Sequence, residues 1–167
     1  MNAIVYTTNT GSTERYAKLL AEQTGLSAYS LSEAKRTVPA GAQIIYLGWI
    51  MASTVKGYTE AAKRYELCAV CAVGMGQTGT QTELIREKNH IPQTIPLFTL
   101  QGNFSVGKLH GMYRLMMNVM IKAVNKGLGE KTDRTPEEDA MLEMIRDPRE
   151  RVSAENLKAV LEWYRNA

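Results

Sequence analysis

Five short apolar runs alternate with helical stretches along this chain, and that alternation constrains the fold more than any other feature. The runs are Ala3 to Thr7, Leu26 to Leu31, Ile44 to Gly48, Leu67 to Val73 and Ile95 to Leu100. All are strand-length, and most are rich in apolar or β-branched residues. Ile44-Ile45-Tyr46-Leu47-Gly48 is apolar throughout, as a strand covered on both faces should be. Helical composition marks Glu14 to Gln23, about Gly57 to Tyr65, about Thr80 to Asn89 and Leu109 to Leu128. Ser153 is expected to cap a last helix, with Leu157, Val160, Leu161 and Tyr164 on one apolar face. Such alternation implies a doubly wound α/β domain with a five-stranded parallel sheet and helices on both faces. Right-handed crossovers leave few topologies, and of these the order 2-1-3-4-5 is expected. With 167 residues, one domain over 1–167 is expected.

The connections carry the chemistry. Thr8-Asn9-Thr10-Gly11-Ser12-Thr13 lies between the first strand and the first helix. The leading N–H groups of a helix have no intrahelical partner, and the helix dipole favours an anion there. Hydroxyls add donors, Gly11 lets the backbone approach a ligand, and the turn holds no Lys or Arg. A phosphate held by neutral donors is the expected guest. In a doubly wound sheet this turn meets the loops after the third and fourth strands at the switch point. The loop after the third strand opens with Trp49, Ile50, Met51 and Ala52, unusually apolar for a loop. A flat aromatic ligand would explain them by stacking and burial; packing of Trp49 into the core is the alternative. The loop after the fourth strand is Gly74-Met75-Gly76-Gln77-Thr78-Gly79. Its glycines match a dinucleotide fingerprint, but that motif belongs to the first turn of its domain and needs an acid about 20 residues on. Leu97 to Gln101 supply none.

The pattern Thr-x-Thr-Gly-x-Thr after a first strand resembles the phosphate loop of flavodoxins. The resemblance spans nearly the whole chain through this loop and the strand order. It implies FMN as cofactor, with Thr8 to Thr13 around the phosphate and the loop from Trp49 covering one face of the flavin. Counted from Gly48, the family's stacking position falls on Ala52, so Met51 is an alternative cover. The resemblance also implies that the glycines of 74–79 bring backbone amides to the pyrimidine edge, with Gln77 or Thr78 as side-chain donors. Phospho-receiver domains share the fold but need acids after the first and third strands, where this chain has Thr7, Thr8, Asn9, Gly48 and Trp49.

Charge has a location here. The net charge is +3, and from Asn103 to Leu128 there are Lys108, Arg114, Lys122 and Lys126 with no acid. On a helical wheel, the apolar residues from Leu109 to Val124 cover about two-thirds of the circumference, more than packing on one side of a sheet needs. This extra helical segment is read either as covered by neighbouring chain or as a surface for a membrane, a quinone or a dimer partner. The segment also resembles one in the menaquinone-dependent protoporphyrinogen dehydrogenases, flavodoxin-like proteins in which a basic, apolar stretch ends in a Gly-rich turn and Thr-Asp, here Gly127 to Asp133. That branch carries Arg and Tyr after the third strand, and Trp49 to Val55 has neither.

The expected function is therefore an FMN-dependent oxidoreductase, with a redox partner protein, a quinone or a porphyrinogen-type substrate. The alternatives are a soluble electron carrier without its own substrate and a flavin-free interaction domain. No metal site and no nucleic-acid partner are expected. Cys68 and Cys71 fall within a strand, where residues three apart face opposite ways, so they read as small hydrophobes rather than a redox pair. His90 and His110 read as surface residues. The N-terminus enters the first strand directly, without a leader pattern, so a cytoplasmic location is expected, with peripheral membrane contact through 103–128.

Overall fold

A computed structural model describes residues 1–103, 111–129, 133 and 150–167. Its strands are β1 (Ala3–Thr7), β2 (Ala28–Ser30), β3 (Gln43–Met51), β4 (Thr54–Val55), β5 (Glu66–Gly74) and β6 (Leu97–Gln101). The helices are α1 (Ser12–Thr24), α2 (Leu31–Thr37), α3 (Tyr58–Arg64), α4 (Thr82–Asn89), α5 (Gly111–Gly129) and, after a 3₁₀ turn at Glu155–Leu157, α6 (Lys158–Asn166). The main sheet runs β2-β1-β3-β5-β6, all parallel. This is the flavodoxin-like order read from the sequence, with β5 and β6 as its fourth and fifth strands.

Alternation along the strands feeds two cores. Ile4, Ile45, Leu47, Cys71 and Leu100 pack with Tyr16 and Leu20 of α1 and Val160 of α6. Val5, Ile44, Tyr46 and Val70 pack on the other face with Ala34 of α2, Tyr58 of α3 and Ile85 of α4. Each helix therefore needs only one apolar stripe, while the central strands are apolar on both sides.

Four local readings change. The polar stretch Ser32 to Gly41, expected as a connection with room for one helical turn, carries most of the longer α2, because Ser30 and Glu33 form a reciprocal capping box whose signal is polar and so resembles a loop. The third strand does not stop at Gly48: it runs to Met51, turns at Ala52 and Ser53, and pairs back through β4. Ser153 does not cap the last helix, which enters from the 3₁₀ turn with no side-chain cap. The expected β2 shortens to three residues. Cys68 sits where the β3–β5 register shifts by one residue, half-exposed, while Cys71 is buried; both are free thiols. The sequence also leads us to expect a short helix from Asp139 to Arg146; that stretch, Lys108 and His110 lie outside the described residues. Among the described residues, no helix is long and apolar enough to cross a membrane.

Candidate cofactor site

The carboxyl ends of β1, β3 and β5 bring the three expected loops to one edge of the sheet. β1 delivers Thr7, and the chain turns through Thr8 to Gly11 into α1. Gly11 N–H donates to Thr8 Oγ1 at 3.1 Å, which closes the turn on itself. Gly11 takes φ +95°, a conformation that L side chains rarely adopt, and caps the helix without a side-chain bond. Its carbonyl accepts from Arg15 N–H at 3.0 Å, the first helical bond. The N–H groups of Ser12, Thr13 and Glu14 are thus ahead of that ladder and have no intrahelical acceptor. Ser12 and Thr13 are buried, and Thr8, Asn9 and Thr10 are half-buried.

Beneath this turn lies a polar knot that the sequence reading missed. Thr7 Oγ1 bonds Tyr46 Oη, and both hydroxyls reach the Lys56 carbonyl, Tyr46 at 2.6 Å and Thr7 at 3.2 Å. The next residue is Gly57, at φ +79°, where any Cβ would come within 3.0 Å of both hydroxyls. The knot ties the turn after β1 to the segment after β4. Burial pushes the Tyr46 phenol well above its ordinary range, against the hydrogen bond from Thr7. Tyr46 read as one more apolar strand residue, and only the Lys56-Gly57 pair beside it signalled a tight approach.

The segment from Trp49 is strand and hairpin rather than loop, and this sorts its residues by face. Ile50 packs toward the core beneath α2, α3 and α4. Trp49 and Met51 alternate onto the other face, the side of α1 and its turn. The Lys56 ammonium stands 6.0 Å from the Trp49 ring centroid, a cation–π distance. Ala52 and Ser53 form the hairpin tip with φ of 48° and 60°, the pattern of a type I′ turn built without glycine. That conformation costs about 1–2 kcal/mol per residue. Asn89, the last residue of α4, holds it in place: its Nδ2 donates to Ser53 O at 2.7 Å and its Oδ1 accepts from Val55 N–H at 2.8 Å.

The glycine loop after β5 reaches the edge strand. Gly79 N–H donates to Thr99 O at 3.0 Å, and Thr78 Oγ1 accepts from Gln101 N–H at 3.0 Å. These bonds occupy part of β6's open edge. Thr78 keeps its hydroxyl proton to donate, and Gly76, Gln77, Thr78 and Gly79 are exposed. Met75 is half-buried beside Gly74, where a Cβ would come 2.9 Å from Ile50 Cδ1. The hairpin and the glycine loop therefore touch.

The end of β6 closes the edge on the other side. Gly102 N–H donates to Gly74 O at 2.7 Å, and a Cβ on Gly102 would lie 3.2 Å from Ser12 Cβ. Asn103 N–H donates to Ser12 Oγ at 3.0 Å. Asn103 Oδ1 accepts from Arg151 N–H at 2.7 Å, and its Nδ2 donates to Glu150 Oε1 at 2.6 Å. Glu150 also pairs with Arg15. Partial burial opposes charge on Glu150, but the bonds from Asn103, Arg15 and Val152 N–H outweigh it and hold its carboxyl below the usual range. Tyr16 Oη donates to Gln101 O at 2.5 Å and accepts from Asn156 at 2.6 Å, so α1 is fastened to β6 and to the C-terminal segment. No motif marked Asn103, Glu150 or Asn156, because the bonds that join Asn103 to Ser12 and Glu150, and Asn156 to Tyr16, span 47 to 140 residues.

The turn 8–13, Trp49, Met51, Ala52 and the start of the glycine loop thus lie at this end of the sheet, whereas Ile50 packs into the core and Thr78 and Gly79 run along the outer side of β6. Compared with protein-family models, with curated proteins and with solved structures, the chain has no match.

Proposed function

We propose that the protein binds FMN and acts as a flavodoxin-like oxidoreductase. The observation that carries this reading is the turn 8–13: a hydroxyl-lined loop, closed by Gly11 N–H on Thr8 Oγ1, that presents the head of α1 at the sheet's switch point. The residues fit a terminal phosphate. Thr8, Thr10 and Thr13 carry hydroxyls there, and the leading amides of α1 are oriented toward the same place. The turn contains no cation, so the guest keeps its charge and the dipole and hydroxyls supply the binding. Trp49 and Met51, on the α1 side of β3, are the apolar cover for a flat ring. In the loop 74–79, Met75 to Thr78 supply backbone amides and the Thr78 hydroxyl for its polar edge, while Gly79 donates its own N–H to Thr99.

FMN, when bound, supplies the acceptance and release of electrons. The chain's own work is to fix the ring's position, to exclude water on one face with Trp49 and Met51, and to set the local field through backbone dipoles. The partner in this reading is a redox protein, a quinone or a porphyrinogen-type substrate at the exposed edge.

The test is a titration of the apoprotein with FMN and with riboflavin, following flavin fluorescence. Thr10→Val keeps the shape and removes one hydroxyl. Losing a hydrogen bond to a charged group costs about 1.5–3 kcal/mol, so FMN affinity should fall about ten- to hundredfold. Riboflavin, which has no phosphate, should bind the variant and the parent alike. Equal weakening of both ligands, or no quenching with either, would overturn the reading.

A further inference from the structure

Helix α5 presents a ridge to solvent that no other part of the described structure covers. Met112, Leu115 and Val119 are 82%, 67% and 61% exposed, large values for apolar side chains on a folded chain. Lys122 and Lys126 continue the same row, because the five residues follow one another at spacings of three, four, three and four. Both lysines are exposed, as is Arg114 on the flank. The ridge is thus apolar over its first two turns and basic over its last two, and the sequence holds no acid from Asn103 to Leu128.

This polarity selects the occupant. A second copy is a poor match: antiparallel pairing would stack Met112 on Lys126 and Leu115 on Lys122, and parallel pairing would set lysine on lysine. Nucleic acid would suit the lysines but leave three apolar side chains against phosphates. An anionic lipid surface satisfies both halves, since apolar side chains enter the acyl boundary while lysines stay at the headgroups. The geometry points to α5 as a docking helix for anionic membranes, lying on the surface with its N-terminal half the deeper. Spanning is not required of it, and its length and hydropathy do not support spanning. The docking helix uses no part of the turn 8–13, so vesicle binding and FMN binding succeed or fail separately.

The test is cosedimentation of the full chain with vesicles of phosphatidylcholine alone or with about one-third phosphatidylglycerol. Binding is expected to the anionic vesicles, weakly to the neutral ones, and to fall steeply with salt. Lys122→Ser and Lys126→Ser should each weaken anionic binding about fivefold. Met112→Ser and Leu115→Ser should each weaken it about tenfold. These positions are exposed, so the melting temperature should not change and a folding defect is distinguishable from a docking defect. Three results would overturn the proposal. One is no binding to anionic vesicles. Another is equal binding to both vesicle types, insensitive to the lysine changes. The third is a dimer in sedimentation equilibrium that Leu115→Ser splits, which would make the ridge a contact between copies.

Discussion

Gly57→Ala tests whether the knot beneath the site is what fixes its loops. Two costs follow from the structure. The backbone sits at φ +79°, so alanine loses about 1–2 kcal/mol there relative to glycine. The new Cβ would also come within 3.0 Å of Tyr46 Oη and Thr7 Oγ1, so those hydroxyls must separate. Tyr46 is fully buried, and disturbing its bonds to Thr7 and to the Lys56 carbonyl costs about 1–3 kcal/mol, the upper end if both are lost. The sum is about 2–5 kcal/mol. Gly25→Ala is the control, because Gly25 has nearly the same φ, +73°, with nothing within 4 Å of the added Cβ. It should cost only the backbone share, about 1–2 kcal/mol.

The assay is urea unfolding of both variants and the parent, with the midpoint compared at constant slope. The difference between the two variants isolates the close approach. Tyr46→Phe in the Gly57→Ala background should then cost less than Tyr46→Phe alone, since the clash has already broken the bond. Equal destabilisation by Gly57→Ala and Gly25→Ala would refute the reasoning. It would mean that the hydroxyls yield freely and that the knot fixes nothing.

Other outcomes can be checked with the same protein. Burial pushes the Cys71 thiol up to about 12, so the folded protein holds that proton more tightly than the unfolded chain does. Its contribution is whole below pH about 9 and is lost as pH rises toward 12, by at most about 1.4 kcal/mol per pH unit. Cys71→Ala should flatten that part of the stability profile, and in the native protein Cys68 should react with a thiol reagent far sooner than Cys71. Arg86 is buried, and its Nη1 faces the carbonyls of Ile91, Pro92 and Ile95 at 3.3, 2.6 and 3.1 Å. Arg86→Leu removes the side-chain donor from all three, leaving Pro92 O only the Ile95 N–H at 3.0 Å, and should cost about 3 kcal/mol in urea unfolding, part of which Arg86→Lys restores. Asn89→Ala removes both bonds that hold the hairpin tip; about 2 kcal/mol of stability should be lost, with increased hydrogen exchange at Val55.

The strand–helix order was legible because it rests on local periodicity, and each parallel strand that is buried on both faces carries an apolar run. The turn 8–13 was legible for the same reason: its hydroxyls, its glycine and the helix start are contiguous. The hairpin was not. Trp49 to Met51 continues β3 because Thr54 and Val55 fold back to pair with it, and Gly48 leaves room for Val55 beneath. A turn of Ala52-Ser53 gives no hairpin signal, since type I′ turns ordinarily announce themselves with Asn-Gly or Asp-Gly. The conformation is held from outside, by Asn89, 36 residues further along the chain. Tyr46 was illegible in a different way. Its ring satisfied the apolar pattern of the strand, which concealed the hydroxyl that joins two loops.

The residues that fasten the start of α1 give the site a further property. The chain leaves the sheet at Asn103, and Glu150 opens the described C-terminal segment; the two residues meet through Asn103 Nδ2 and Glu150 Oε1. Both are fixed to the first turn of α1, Asn103 through Ser12 and Glu150 through Arg15. The ends of the segment that contains α5 are therefore tied to the helix whose leading amides would face the proposed phosphate. Glu150→Gln removes the charge that Arg15 pairs with while keeping a hydrogen-bond acceptor. Because the folded-state carboxyl lies below its ordinary value, its contribution is present at neutral pH and is lost as pH falls through that lowered value. The variant should show a shallower loss of stability on acidification than the parent. If Arg15 is thereby released toward the head of α1, FMN should also bind the variant more tightly while riboflavin does not. Unchanged acid unfolding together with unchanged binding of both flavins would mean that the exposed Arg15–Glu150 pair is incidental and that Asn103 alone anchors the segment.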